Sequence, residues 1–79
     1  MTANAPALTL LRRKEVEQRT GLSRASIYAK TKPNPRRPKD FDETFPKPVH
    51  LNGTRVVAWV EGEINEWIQQ QIRLSRGAA

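Results

Sequence analysis

The stretch Thr20-Gly21-Leu22-Ser23-Arg24-Ala25-Ser26-Ile27-Tyr28 constrains this chain more than any other. Gly21 has no Cβ, so it can take the left-handed backbone that ends a helix. Leu22 is the apolar residue that folds back over such a turn. Ser23 is a good N-cap, because its hydroxyl can accept from the free backbone N–H groups of the next turn. The spacing predicts a helix starting near Arg24, with Ile27 and Tyr28 on its inward side. Arg24, Ala25 and Ser26 then stand at the exposed N-terminal end, where a recognition helix meets base edges. The same corner also joins packed helices in proteins that never touch nucleic acid, so its surroundings must decide.

A chain of 79 residues makes one small domain with few large core residues. With no cysteine, neither disulfides nor thiolate metal sites can brace it. No apolar run approaches the roughly 20 residues that span a bilayer. Residues Met1 to Ala7 lack the basic-then-apolar plan of a signal peptide, so a soluble cytoplasmic protein is expected. The formal charge of +6 is unevenly placed. Between Arg19 and Arg55 lie nine basic residues and three acidic ones, and this segment holds the whole excess. A localised basic field favours a polyanion, because neutralising phosphates releases condensed counterions.

Residues 1–9 read as a disordered tail, although Leu8 to Leu11 is apolar enough to pair as a short strand or to cover the core. A first helix is expected from Arg13 to Thr20, with Val16 and Thr20 on its buried face. The second helix should end near Lys30 to Lys32, since Pro33 disfavours helical geometry at Lys32, and Pro35 and Pro38 prevent it resuming. Thr31 to Thr44 is therefore a long loop with a basic half, Lys32 to Lys39, and an acidic half, Asp40 to Glu43. It reads either as an arm on the sugar–phosphate backbone or as a solvated insertion with Phe41 tucked against the core.

Phe45 to Leu51 and Thr54 to Trp59 favour strands, and Asn52-Gly53 between them signals a tight hairpin turn. Pro46 and Pro48 suit an edge strand, which needs no donor on its open side. His50, the single histidine, reads as a strand surface residue. A last helix is expected from Val60 to Ser75, with Ile64, Trp67, Ile68 and Ile72 as its apolar stripe and Glu63 at a capping-box position. Trp67 belongs to the core on this reading. Ile72 and Leu74 at the end of the stripe can meet a second protomer.

The order helix, tight turn, helix, loop, β-hairpin, helix is the plan of a winged helix-turn-helix: mainly α, with three helices and a two-stranded wing. The domain spans residues 10–76, with 31–44 as an inserted loop and 77–79 as a C-terminal tail. Two separated blocks also resemble the AlpA family of small phage-related regulators. The first comprises Leu11-Arg12-Arg13-Lys14-Glu15-Val16 and Thr20 to Tyr28. The second comprises Phe45-Pro46-Lys47-Pro48-Val49 and Val57 to Ile68. The resemblance covers roughly residues 10–72. It implies a DNA-binding regulator of prophages and integrated elements, similar to MerR-like and excisionase winged-helix domains. The link from Tyr28 to Phe45 is longer here than the short glycine-bearing turn of typical members, so no contacts are carried over for Thr31 to Thr44.

The leading expectation is a sequence-specific transcriptional regulator that reads the major groove with its second helix and the backbone with its wing. Arg24 is placed to reach a guanine edge, and Ser23 and Ser26 a phosphate or base, beside Ala25. Tyr28 can hydrogen-bond a phosphate, and Lys30, Arg36 and Arg37 can follow the backbone. Asn52 and Gly53 form the wing tip, from which Thr54 and Arg55 contact backbone or minor groove. An excisionase-like protein that binds DNA in arrays and bends it for a recombinase would use the same surface. A protein-interaction adaptor working through the last helix is the alternative of another class. The expected partners are double-stranded DNA, with a homo-oligomer on DNA and integrase or RNA polymerase as further possibilities, and no membrane. No enzyme, cofactor or metal site is expected: nothing forms a catalytic constellation, and Asp40, Asp42 and Glu43 lack the glycine and distal glutamate of a calcium loop.

Overall fold

The computed structural model describes residues 8–77. Its elements are β1 (Leu10–Leu11), α1 (Arg13–Thr20), α2 (Arg24–Thr31), a single 3-10 turn (Pro38–Asp40), β2 (Val49–His50), β3 (Val57–Val60) and α3 (Glu61–Ser75). Gly21 turns the corner at φ 76°, and its N–H donates to the Glu17 carbonyl at 2.8 Å. Ser23 caps α2 by accepting from the Ser26 N–H at 3.2 Å. Thr20 stitches the same corner: its hydroxyl donates to the Val16 carbonyl and accepts from the Leu22 N–H. Both expected helices and their junction are therefore present.

The two-stranded hairpin wing is joined by a third strand, β1, which lies in the Leu8–Leu11 stretch that could pair as a short strand. β3 lies at the centre of an antiparallel sheet of order β1-β3-β2. Leu10 and Leu11 pair with Val60 and Trp59, while Val49 and His50 pair with Ala58 and Val57. The segment Val57-Ala58-Trp59-Val60 has a backbone donor at every position and can bond on both edges. Pro46 and Pro48 have none, which explains why the expected strand Phe45–Leu51 shrinks to Val49–His50. The hairpin turn is also wider than two residues. Leu51 and Val56 still bond, N–H to carbonyl, at 3.0 Å, so Asn52 to Arg55 form the loop. Gly53 alone takes positive φ, at 77°, because Asn52 avoids the left-handed region that a two-residue turn of mirror type would impose on it.

The core takes Leu11, Val16, Ile27 and Trp59 from β1, α1, α2 and β3, Ile64 and Trp67 from α3, and Phe45 from the segment before β2, with Leu22, Val57 and Ile68 packed against it. Each buried aliphatic or aromatic side chain contributes about 1.5–3 kcal/mol, so a domain this small depends on all of them. Phe45 meets Trp67 edge to face at 5.0 Å. The apolar stripe of α3 is shorter than expected, since Ile72 is 43% exposed and Leu74 66%. Tyr28 was expected inward with Ile27, but it is 43% exposed. Adjacent helical residues lie about 100° apart, so burying Ile27 completely turns Tyr28 away.

α3 begins without a side-chain cap from Val60, and Glu63 makes no capping box. The Glu61 N–H donates instead to the Thr9 carbonyl at 2.8 Å. Most of the expected tail, residues 1–7, lies outside the described residues, as do residues 78–79. Gly77, at φ 63°, ends α3.

Candidate nucleic-acid interface

α2 forms an exposed ridge between two basic notches. Its ridge residues are Arg24 and Tyr28, four apart and thus stacked on one face. The Arg24 guanidinium lies over the Tyr28 ring, 5.8 Å from its centroid. A cation over an aromatic face is held in position without losing its hydrogen-bond donors, so the fork remains free to reach outward. Ser23 and Ser26 share a hydroxyl–hydroxyl bond at 3.1 Å. Part of their bonding capacity therefore goes into the cap. Ala25 is exposed beside them and leaves room for close approach.

On one side of the ridge, the 31–44 segment folds back along α2. Lys32, Pro33, Asn34, Pro35, Arg37 and Asp40 line a notch with Ala25, Tyr28 and Ala29. Asn34 shapes this turn, since its side-chain oxygen accepts from the Arg36 N–H at 2.9 Å. Arg37 thus joins the ridge, while Arg36 is exposed and does not line the notch.

The segment lands on Asp42. Its Oδ1 accepts from the Thr44 N–H at 2.8 Å and from the Thr44 hydroxyl at 2.6 Å. Its Oδ2 accepts from the Trp67 indole at 3.3 Å, and its own N–H donates to the Lys30 carbonyl. Burial pushes the Asp42 pKa up, but the bonds from Thr44 and Trp67, with the Lys30 charge, outweigh it and hold the pKa below the ordinary 3.8. The segment is thus anchored at Asp42 and runs beside α2, with Phe41 half-buried.

On the other side lies a notch lined by Arg12, Arg13, Lys14, Tyr28, Arg55, Val57 and Trp59. It brings the start of α1, the ridge and the wing together. Thr54 has a structural role at the wing tip. Its hydroxyl donates to the Leu51 carbonyl and accepts from the Val56 N–H, so it shapes the wing tip. Asn52 and Gly53 are exposed at that tip. Lys30 is set apart from the ridge, with its ammonium 5.8 Å from the centre of the Trp67 ring. Two residues beyond Tyr28, it faces the other side of the helix.

The family described as Prophage CP4-57 regulatory protein (AlpA) matches residues 9–74, which run from the start of β1 into the last turn of α3. The chain belongs to the AlpA family. It is 44% identical over 71 residues to the DNA-binding transcriptional activator AlpA of Escherichia coli K12, covering 90% of this chain and 96% of that relative. No solved structure matches it. No described helix is long and apolar enough to cross a membrane. Among the described residues no group of three or more His, Cys, Asp or Glu is placed to hold a metal ion.

In this AlpA-family chain, sequence reasoning overlooked Arg12, Arg13, Lys14 and Lys32 as neighbours of the ridge. A signal was available for the first three. They open α1, where the helix dipole disfavours positive charge.

Proposed function

We propose that this protein is a sequence-specific DNA-binding transcriptional regulator of a prophage or integrated element. It reads the major groove with the N-terminal half of α2 and the backbone with the wing. The observation that carries this reading is the ridge itself. Arg24 is exposed in the first turn of α2, braced on Tyr28, and flanked by Arg37 on one side and Arg55 on the other. A groove roughly 12 Å wide admits one helix, and the flanking cations then fall toward the phosphates that border it. The naming of the Escherichia coli relative as a DNA-binding transcriptional activator supports regulation over a purely architectural role in recombination. Acting on chromosomal DNA, the protein works in the cytoplasm. The partner is double-stranded DNA, and a second copy or RNA polymerase would approach from surfaces away from α2.

Footprinting on the DNA flanking the protein's own gene tests the proposal. Protection of a defined sequence at a promoter, with a matching change in reporter output, is expected. Uniform weak protection with no reporter change would contradict it.

A further inference from the structure

We infer that the notch between α1, α2 and the wing is a phosphate anchor, which holds one phosphodiester of the DNA backbone at the N-terminus of α1. This rests on the DNA-binding reading and adds a site to it. Three independent observations converge there.

The first is charge. Arg12, Arg13, Lys14 and Arg55 line the notch, and no carboxylate does. Arg13 is already paired with Glu17. The Glu15 carboxylate accepts the Arg12 backbone N–H at 3.0 Å. The side chains of Arg12, Lys14 and Arg55 form no ion pair with the described residues.

The second is the helix terminus. Arg12 is the N-cap of an eight-residue helix, and Arg13 and Lys14 are its first two residues. The N–H groups of Glu15 and Val16 reach the Arg12 carbonyl, whereas those of Arg13 and Lys14 find no acceptor among the described residues. Cations at this end oppose the dipole, and a bound anion resolves the conflict. A local rule broken in one place is expected where a ligand compensates it.

The third is Trp59. It is 1% exposed, and its Nε1–H is buried with no hydrogen-bond partner. Trp59 is among the residues that line the same notch. The other indole, that of Trp67, is satisfied by Asp42. A buried unpaired donor is uncommon and calls for a reason.

The test replaces Arg12 and Lys14 together by Gln and measures affinity for specific and random duplexes across a salt series. The double variant should lose affinity on both duplexes by a similar factor. The slope of log affinity against log salt should become shallower by about 0.9 for each phosphate no longer neutralised. Its melting temperature should hold or rise, because charges opposing the dipole are gone; a fall would mark the pair as structural and overturn the inference. Wild-type protein that binds DNA, with a variant of unchanged slope, also overturns the anchor and leaves the DNA-binding reading standing. Failure of the wild-type to bind any duplex overturns both.

The Trp59 indole N–H resonance, assigned with the help of Trp67→Phe, supplies a direct readout. DNA should shift it in the wild-type and not in the double variant. An equal shift from inorganic phosphate at matched ionic strength would assign the notch to a free anion instead.

Discussion

Gly21, Ser23 and Asp42 each hold a junction by a different physical device. Gly21 sits at φ 76° with open space where a Cβ would point, so only backbone strain opposes a larger residue. Gly21→Ala should cost about 1–2 kcal/mol, the left-handed penalty for an L-residue, without any steric clash. Thermal denaturation measures this, and an unchanged midpoint would show that the corner relaxes freely. Asp42 makes a pH-dependent contribution. Its pKa is lowered in the folded state, so the stabilisation is present above the ordinary 3.8 and is lost as pH falls through the folded value. The melting difference between wild-type and Asp42→Asn should therefore be clear at neutral pH and shrink in acid. A difference constant with pH would rule out the carboxylate as its source. Gly21 and Ser23 were legible in the sequence because their roles are settled by neighbours within a few residues. Asp42 was not, since beyond its local bonds from Thr44 the tie to α3 comes from Trp67, 25 positions away.

At the scale of elements, helices α1 and α2 emerged with their expected bounds because glycine, serine and proline punctuate them locally. Strands did not, because a strand's extent depends on which donors its neighbour offers. The prolines of 46 and 48 shortened β2, and the central place of β3 drew in β1. The wing remains testable as a unit. Gly53→Val forces a β-branched residue into φ 77° and should distort the four-residue loop that Thr54 pins to Leu51. Weaker DNA binding with unchanged helical circular dichroism is expected; full affinity would remove the wing from the binding surface. The 31–44 segment yields a sharper contrast than its charge alone suggests. Arg37 lines the notch beside α2 and Arg36 does not. Arg37→Ala should weaken binding more than Arg36→Ala, measured on the same duplex. Equal losses would mean that the segment acts only through its net charge.

Across the whole molecule, a small core orients one helix so that its exposed ridge is bordered by cations from distant parts of the chain. The basic excess was legible as a sum, but its geometry was not. Lys30 belongs to the charged segment yet turns toward Trp67, while Arg12 and Lys14 lie outside that segment yet reach the ridge. Net charge predicts affinity for a polyanion; only the fold decides which cations share a face. The central claim is that α2 reads sequence, and Arg24 carries it. Its planar fork can give two hydrogen bonds to O6 and N7 of guanine, which lysine cannot copy. The decisive measurement is the affinity of wild-type and Arg24→Ala for a specific and a random duplex at one fixed salt concentration. Base reading predicts a loss of about 1–3 kcal/mol on the specific site and much less on random DNA. An unchanged ratio of the two affinities would make Arg24 a phosphate clamp and contradict the account.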